Sequence, residues 1–412
     1  MLKKFILLIF IILCSKNIVA QTNDNSNNNY SIIVEGSIGT ILLSEYLVKD
    51  YSYGLSAEIE WQTTGKHTWE HYFNFPSIGA GTRFMTLSNP KFLGNMFAAY
   101  PYLRFHLLNS KIIKADLQTG VGVSFLTKYY SNTPHTGEDP QEIVDGMNSA
   151  IGTMLNVYFT VDLGLEVPIS KNVSIRADFN VNHASNGNMG IPNHGVNVLN
   201  SLLGVKFSPN KAKYSIPKRT ENVPDMPRNV QFELTLSGGL RNLYHNTSKM
   251  YPMGSLAFAA YKPTSNWHRM GLGLDIFYSG IYSYVNYPWD YNINTRAFIS
   301  KYDLKNLFRV GVSWQNEIVI GRFIAGFHTG FYLYDNIKNF QPYLDAYYQY
   351  VNGEEQMHRP MFYKYKIRQQ DGWFYGRATG KYRFTDHWFA AIGIKTILLR
   401  ADFIEWGFGY RF

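Results

Sequence analysis

His183 and Ser185 stand two residues apart in the run His183-Ala184-Ser185-Asn186-Gly187, and Asn197 follows a little further on. On an extended chain, residues i and i+2 share a face, with Cα atoms about 6.6 Å apart for a rise of about 3.3 Å per residue. An imidazole then reaches the neighbouring hydroxyl. That is the pairing an activated serine needs, with Ser185 as nucleophile and His183 as general base. A hairpin centred near Gly190 puts position 197 opposite 183, so Asn197 lies across from the ring and can orient it. On spacing alone, the same residues also fit a polar rim at a strand end.

The element that must carry the pair is a strand with one apolar face. Val173, Ile175, Ala177, Phe179 and Val181 alternate with Ser174, Arg176, Asp178, Asn180 and Asn182. The apolar face continues through His183 and Ser185, which places both on the lipid side at the outer end of the strand. The alternation recurs in Leu155, Val157, Phe159, Val161, Leu163, Leu165 and Val167, with Asn156, Thr160, Asp162 and Glu166 between them. Such runs exceed the soluble mode of about 5–6 residues and suit a tilted membrane strand of about 9–11. Asp162 and Glu166 then belong to a polar interior, on the face opposite Ser185.

Candidate strands lie near 30–40, 53–62, 71–85, 95–109, 111–127, 153–168, 172–185 and 195–208. Joins after the second, fourth and sixth are short, and the others tend to be longer. Outer-membrane barrels have short periplasmic turns and long outer loops, so the seventh strand ends at the cell surface. From Pro209 to Arg228 the alternation stops in a polar stretch with Pro217, Pro224 and Pro227, which reads as a linker. It resumes at Val230 with about eight more strands. The expected fold is all-β, a transmembrane antiparallel β-barrel. The domains are a signal peptide 1–20, an eight-stranded hydrolase barrel 21–208, a linker 209–228 and a second, non-catalytic barrel-like half 229–412. One barrel of about sixteen strands is the alternative.

Composition agrees. Lys3 and Lys4, an apolar run from Phe5 to Leu13 and a polar stretch ending at Ala20 have the order of a secretory signal peptide, cleaved near Ala20. The single cysteine, Cys14, falls inside it, so the mature chain has no thiol chemistry. Aromatic residues make up 16% of the chain, with 31 Tyr and 28 Phe, which suits interfacial girdles. The net charge of +9 comes from scattered Lys and Arg; it suits a surface facing anionic lipid phosphates and not a nucleic-acid partner. His135 and His194 fall in outer loops and form no metal set, and no phosphate loop, dinucleotide fingerprint or zinc spacing occurs. No cofactor or metal is expected.

The runs His183-Ala184-Ser185-Asn186-Gly187 and Pro192-Asn193-His194-Gly195-Val196-Asn197 resemble the active-site hairpin of the lipid A 3-O-deacylases, the outer-membrane acyloxyacyl hydrolase family. The similarity extends to Asn148-Ser149-Ala150-Ile151-Gly152 and Leu155-Asn156, as in the longer Bacteroidetes-type members, and covers roughly Tyr30 to Phe207. The resemblance implies a Gram-negative outer-membrane esterase whose substrate is lipid A or lipopolysaccharide in the outer leaflet. It carries the nucleophile to Ser185 and the base to His183, and assigns the oxyanion donors to Asn186 and the backbone of Gly187. Asn197 departs from the pattern, since the best-known enzymes have Glu there. The register Ile404, Trp406, Phe408, Tyr410 and Phe412 resembles the C-terminal insertion signal of outer-membrane barrels, which implies the barrel assembly machinery as a partner through Phe412. The later strands hold no His-x-Ser, and Ile394 to Arg400 (IKTILLR) stands in the comparable place. The rival reading is a non-enzymatic pore or lipid-binding barrel.

Overall fold

The computed structural model describes residues 30–42, 50–130, 148, 150–209, 223–242, 250–283, 307–335, 373–397 and 400–412. The expected signal peptide with Cys14 and Ala20, His135, Ser149, Pro217 and most of the expected linker lie outside them.

Among the described residues, sixteen strands close into two separate antiparallel barrels of eight. The first contains β1 (Tyr30–Ile41), β2 (Ser52–Gln62), β3 (Ser77–Thr86), β4 (Asn95–Asn109), β5 (Lys114–Leu126), β6 (Leu155–Pro168), β7 (Val173–Ser185) and β8 (Val196–Phe207). It closes by pairing β1 with β8. The second contains β9 (Gln231–Asn242), β10 (Met250–Pro263), β11 (His268–Ser279), β12 (Phe308–Ile320), β13 (Phe323–Asp335), β14 (Phe374–Arg383), β15 (Trp388–Ile397) and β16 (Arg400–Arg411), closed between β16 and β9. Two barrels replace the single-barrel alternative. The expected third strand began too early, because residues 68–72 form a short helix, α1 (Thr68–Tyr72), before the chain enters β3.

The alternation has the physical meaning expected of it. On β6 the outward Leu155, Val157, Phe159, Leu163, Leu165 and Val167 stay exposed, while Asn156, Tyr158, Thr160, Asp162 and Glu166 are buried inside. A belt of exposed apolar side chains around a closed sheet is a surface made for lipid. Inside, an eight-stranded barrel has room only for side chains. Arg176 meets Asp116 at 2.9 Å and Asp178 at 3.0 Å, Arg104 meets Glu58 at 2.8 Å and Glu60 at 2.9 Å, Arg83 meets Asp162 at 3.2 Å, and Lys206 meets Glu166 at 3.1 Å. Asp162 and Glu166 are thus paired in the lumen, away from Ser185. Removing one partner of such a buried pair typically costs about 3–5 kcal/mol, because the other charge is left unpaired out of water. A lumen filled this way argues against the pore reading.

Two features of the interior went beyond the sequence pattern. Part of the tyrosine excess serves the lumen and not the girdles: Tyr100 donates to Glu58 at 2.9 Å, Tyr261 to Glu317 at 2.9 Å and Tyr375 to Asp275 at 2.7 Å. The outer end of the first lumen is apolar, with Met85, Leu93, Met96, Leu126, Ile151, Tyr158, Ala184, Val196 and Val198 in one buried cluster. Ala184, Val196 and Val198 are the inward neighbours of His183 and Asn197. Their burial fixes the β7–β8 hairpin from within.

Candidate active site

β7 and β8 pair with His183 directly opposite Asn197. His183 Nδ1 lies 2.7 Å from Asn197 Oδ1, and His183 Nε2 lies 2.9 Å from Ser185 Oγ. Because an amide oxygen only accepts, Nδ1 carries the proton and donates it to Asn197. Nε2 is then free to take the serine proton. His183 and Ser185 sit on the outward face at the end of β7, in register with Phe179 and Val181, and Asn197 sits opposite at the start of β8. Across β6 their row neighbours are Phe159 beside His183 and Val157 beside Ser185, both exposed and apolar. Ser185 itself is only 5% exposed.

The loop after Ser185 is held by a dense amide network. The Asn186 backbone N–H donates to Asn193 Oδ1 at 3.0 Å, and Asn186 Nδ2 donates to Thr153 Oγ1 at 2.9 Å. Asn186 Oδ1 accepts from the Gly190 N–H at 3.3 Å. The backbone N–H of Asn186 and one side-chain hydrogen are therefore occupied, and Gly187, at φ +60°, is the next backbone donor. The upstream motif packs beneath. Ala150 O accepts the Gly195 N–H at 2.9 Å, Ile151 bridges Asn193, and Asn148 Oδ1 accepts from Ala150 N at 3.2 Å.

The structure brings Ser185, His183 and Asn197 together, with Asn186 and Gly187 immediately after the serine. His194 lies in the loop between β7 and β8. Among the described residues no group of His, Cys, Asp and Glu is arranged to hold a metal ion. Residue spacing gave no role to Asn193, Thr153 or Gly195. The density of Asn and Gly between two strands was the signal, since those residues tolerate positive φ and cap loop amides.

Gly195 shows why its position excludes a side chain. A Cβ built there would lie 2.7 Å from His183 Cε1, and its φ of +80° already disfavours other residues. Gly195→Ala is expected to push the ring off Ser185 and to lower kcat on the order of a hundredfold, as small misplacements of reacting groups do. Fatty-acid release by a folded, heat-modifiable barrel measures this. An unchanged kcat would mean that the ring has room to move without losing its contact.

Two closed membrane barrels, one with a serine, a histidine and an amide joined on its lipid-facing rim, define an outer-membrane β-barrel of hydrolytic type. Residues 53–206 match the family model described as Lipid A 3-O-deacylase (PagL), and residues 230–372 and 360–412 match that of the acyloxyacyl hydrolase C-terminal domain. The chain belongs to the lipid A 3-O-deacylase family in its longer form, and is an ester-hydrolysing enzyme of the outer membrane. No curated relative matches it. Among solved structures, the outer membrane enzyme PagL is 15% identical, with 42% of this chain and 97% of that one covered at a TM-score of 0.27. Neisserial surface protein A is 10% identical over 44% of this chain and 97% of that one, at a TM-score of 0.30. The N-terminal barrel of Pseudomonas aeruginosa OprF is 9% identical over 43% and 97%, at a TM-score of 0.25.

Proposed function

We propose that this lipid A deacylase works as a serine esterase at the outer leaflet, with Ser185 as nucleophile, His183 as general base and Asn197 as the group that orients the ring. The observation that carries the reading is the continuous contact from Ser185 Oγ to His183 Nε2, 2.9 Å, and from His183 Nδ1 to Asn197 Oδ1, 2.7 Å. Ser185 Oγ attacks the ester carbonyl carbon while its proton passes to Nε2. The resulting oxyanion is assigned to the Gly187 N–H and the remaining hydrogen of the Asn186 amide, where preorganised donors stabilise the developing charge. Collapse breaks the bond to the sugar oxygen, which leaves with the proton from Nε2. Water, deprotonated by His183, then releases the fatty acid and restores Ser185.

The location suits the substrate. An ester of lipid A lies at the boundary between headgroup and acyl chains, and an outward-facing triad at the strand ends suits that level. Val157 and Phe159 offer the departing acyl chain an apolar surface. The direct test is mass spectrometry of lipid A from cells with and without this protein. Expression is expected to yield lipid A lacking one ester-linked acyl chain, together with the matching free fatty acid. Identical lipid A in both strains would sink the proposal.

A further inference from the structure

The second barrel touches the first at the catalytic loop. Asn188, at φ +65°, donates from Nδ2 to Ala401 O at 2.5 Å and to Asp402 O at 3.2 Å, and its own carbonyl accepts from the Asn242 N–H at 2.7 Å. Asn242 ends β9 and Ala401 is the second residue of β16. These are the two strands whose pairing closes the second barrel, and their ladder starts only at Ile404 and Leu240. Beyond that rung the two strands form no ladder pairs among the described residues, and Asn188 bonds to both.

Three observations mark this as a built contact. First, a β-bulge in the β15–β16 pair lies where Lys395 faces Phe403 and Thr396 faces Ala401, which leaves Asp402 as the extra residue. Bulges re-aim side chains and interrupt pairing. Here the Asp402 carboxylate reaches Lys395 Nζ at 2.6 Å and also pairs with Arg241, while its carbonyl accepts from Asn188. Second, Ile404 shares the outward register of Trp406 and Phe408, which are 49% and 64% exposed, yet is itself 6% exposed. Gly187 covers it, so closely that a Cβ there would fall 2.3 Å from Ile404 Cγ1. Third, on this side the contact is confined to the loop, and the barrels meet again only at the other end of the strands among the described residues, where Trp69 lies against Gly321 and Phe73 against Trp267. Lower on the same faces, Phe179, Leu203 and Leu236 remain exposed.

The hydrogen bonds continue inward to the chemistry. Asn188 Oδ1 accepts from Asn193 Nδ2 at 3.4 Å, and Asn193 Oδ1 holds the Asn186 N–H, next to Ser185. We propose that the β9–β16 seam of the second barrel is a positioning frame for the active site, with Asn188 as the residue that anchors the loop bearing the oxyanion donors. The inference rests on the reading of Ser185 as nucleophile. It assigns the second barrel, which has no His-x-Ser of its own, a part in turnover.

The test uses the full chain in vesicles containing lipid A. Asn188→Gly keeps the backbone freedom that φ +65° requires and deletes only the amide. It is expected to lower kcat on the order of tenfold at unchanged KM, because a loosened loop misplaces the donors without altering the lipid surface. Gly187→Ala should also lower kcat, and adding Ile404→Ala, which removes the atoms in the way, should recover part of that loss. That relief tests whether the Gly187–Ile404 contact sets the position of the loop, and the split of kcat from KM in Asn188→Gly tests whether that position governs turnover. Heat-modifiable migration checks that both barrels stay closed. If Ser185→Ala is inactive while Asn188→Gly keeps kcat within about twofold, the frame is wrong and the serine reading stands. Failure of Ile404→Ala to relieve Gly187→Ala would likewise overturn it. If Ser185→Ala remains active, both readings fall.

Discussion

Ser185→Ala and His183→Ala are each expected to abolish release of fatty acid from lipid A, with a loss of about 10⁴-fold or more in kcat. The proton transfer from Ser185 Oγ to His183 Nε2, across 2.9 Å, has no substitute once either side is gone. Because the two act as one unit, the double variant should be no slower than either single one, and what remains is the contribution of the oxyanion donors and of lipid binding. Stability should change little. The pair stands on the lipid-facing rim, while the barrel is held by its ladder, the lumenal ion pairs and the apolar cluster under the hairpin. Fatty-acid release from purified lipid A in vesicles measures the loss, with heat-modifiable gel migration as the check on insertion. Wild-type release by either variant would refute the catalytic assignment, and a double variant far below both singles would refute the unit.

The strand register was readable because a membrane barrel writes it in plain alternation. With lipid outside and paired charge inside, a slip of one residue would put Arg176 or Asp178 into lipid, so the pattern of β7 permits one register. His183 and Ser185 could be placed on the outward face from that pattern, and Asn197 from the hairpin that returns beside it. What the pattern does not encode is contact between segments far apart in the chain. Nothing about Gly187 and Asn188 marks them as neighbours of Ile404 and Asp402 across more than two hundred residues, and an outward isoleucine on β16 looks like any lipid-facing residue. The bulge at Asp402 was hidden for a related reason: it breaks the period of two on which the strand assignments rest. The short helix α1 was missed because residues 68–72 are too few for a helical period to emerge. The division into two halves is read from the proline-bearing linker and not from alternation, which says how a strand faces and not which strand it meets.

Asn197 is where this chain departs from the acidic partner that the family resemblance implies, and its substitution should separate position from charge. Asn197 Oδ1 accepts the Nδ1 proton at 2.7 Å, which fixes the tautomer that leaves Nε2 able to act as a base. Removing that acceptor in Asn197→Ala frees the ring to rotate and to carry its proton on the wrong nitrogen. A loss in kcat on the order of 10²–10³-fold is expected, intermediate between an intact triad and the roughly 10⁴-fold cost of a wrong tautomer. Asn197→Glu puts a carboxylate in the family's place, where a charge-assisted hydrogen bond to imidazolium is shorter and stronger than the neutral one. It is expected to preserve or raise activity near neutral pH. A nearby negative charge favours the protonated ring, so the acid limb of its pH–rate profile should move to higher pH than that of the parent. The three proteins measured side by side decide the point. Parent-like kcat in Asn197→Ala would reduce the residue to part of the hairpin and leave the orienting group elsewhere. An acid limb that does not move in Asn197→Glu would mean that the new carboxyl either stays protonated against lipid or never meets the ring, and that the amide of the parent acts by position alone.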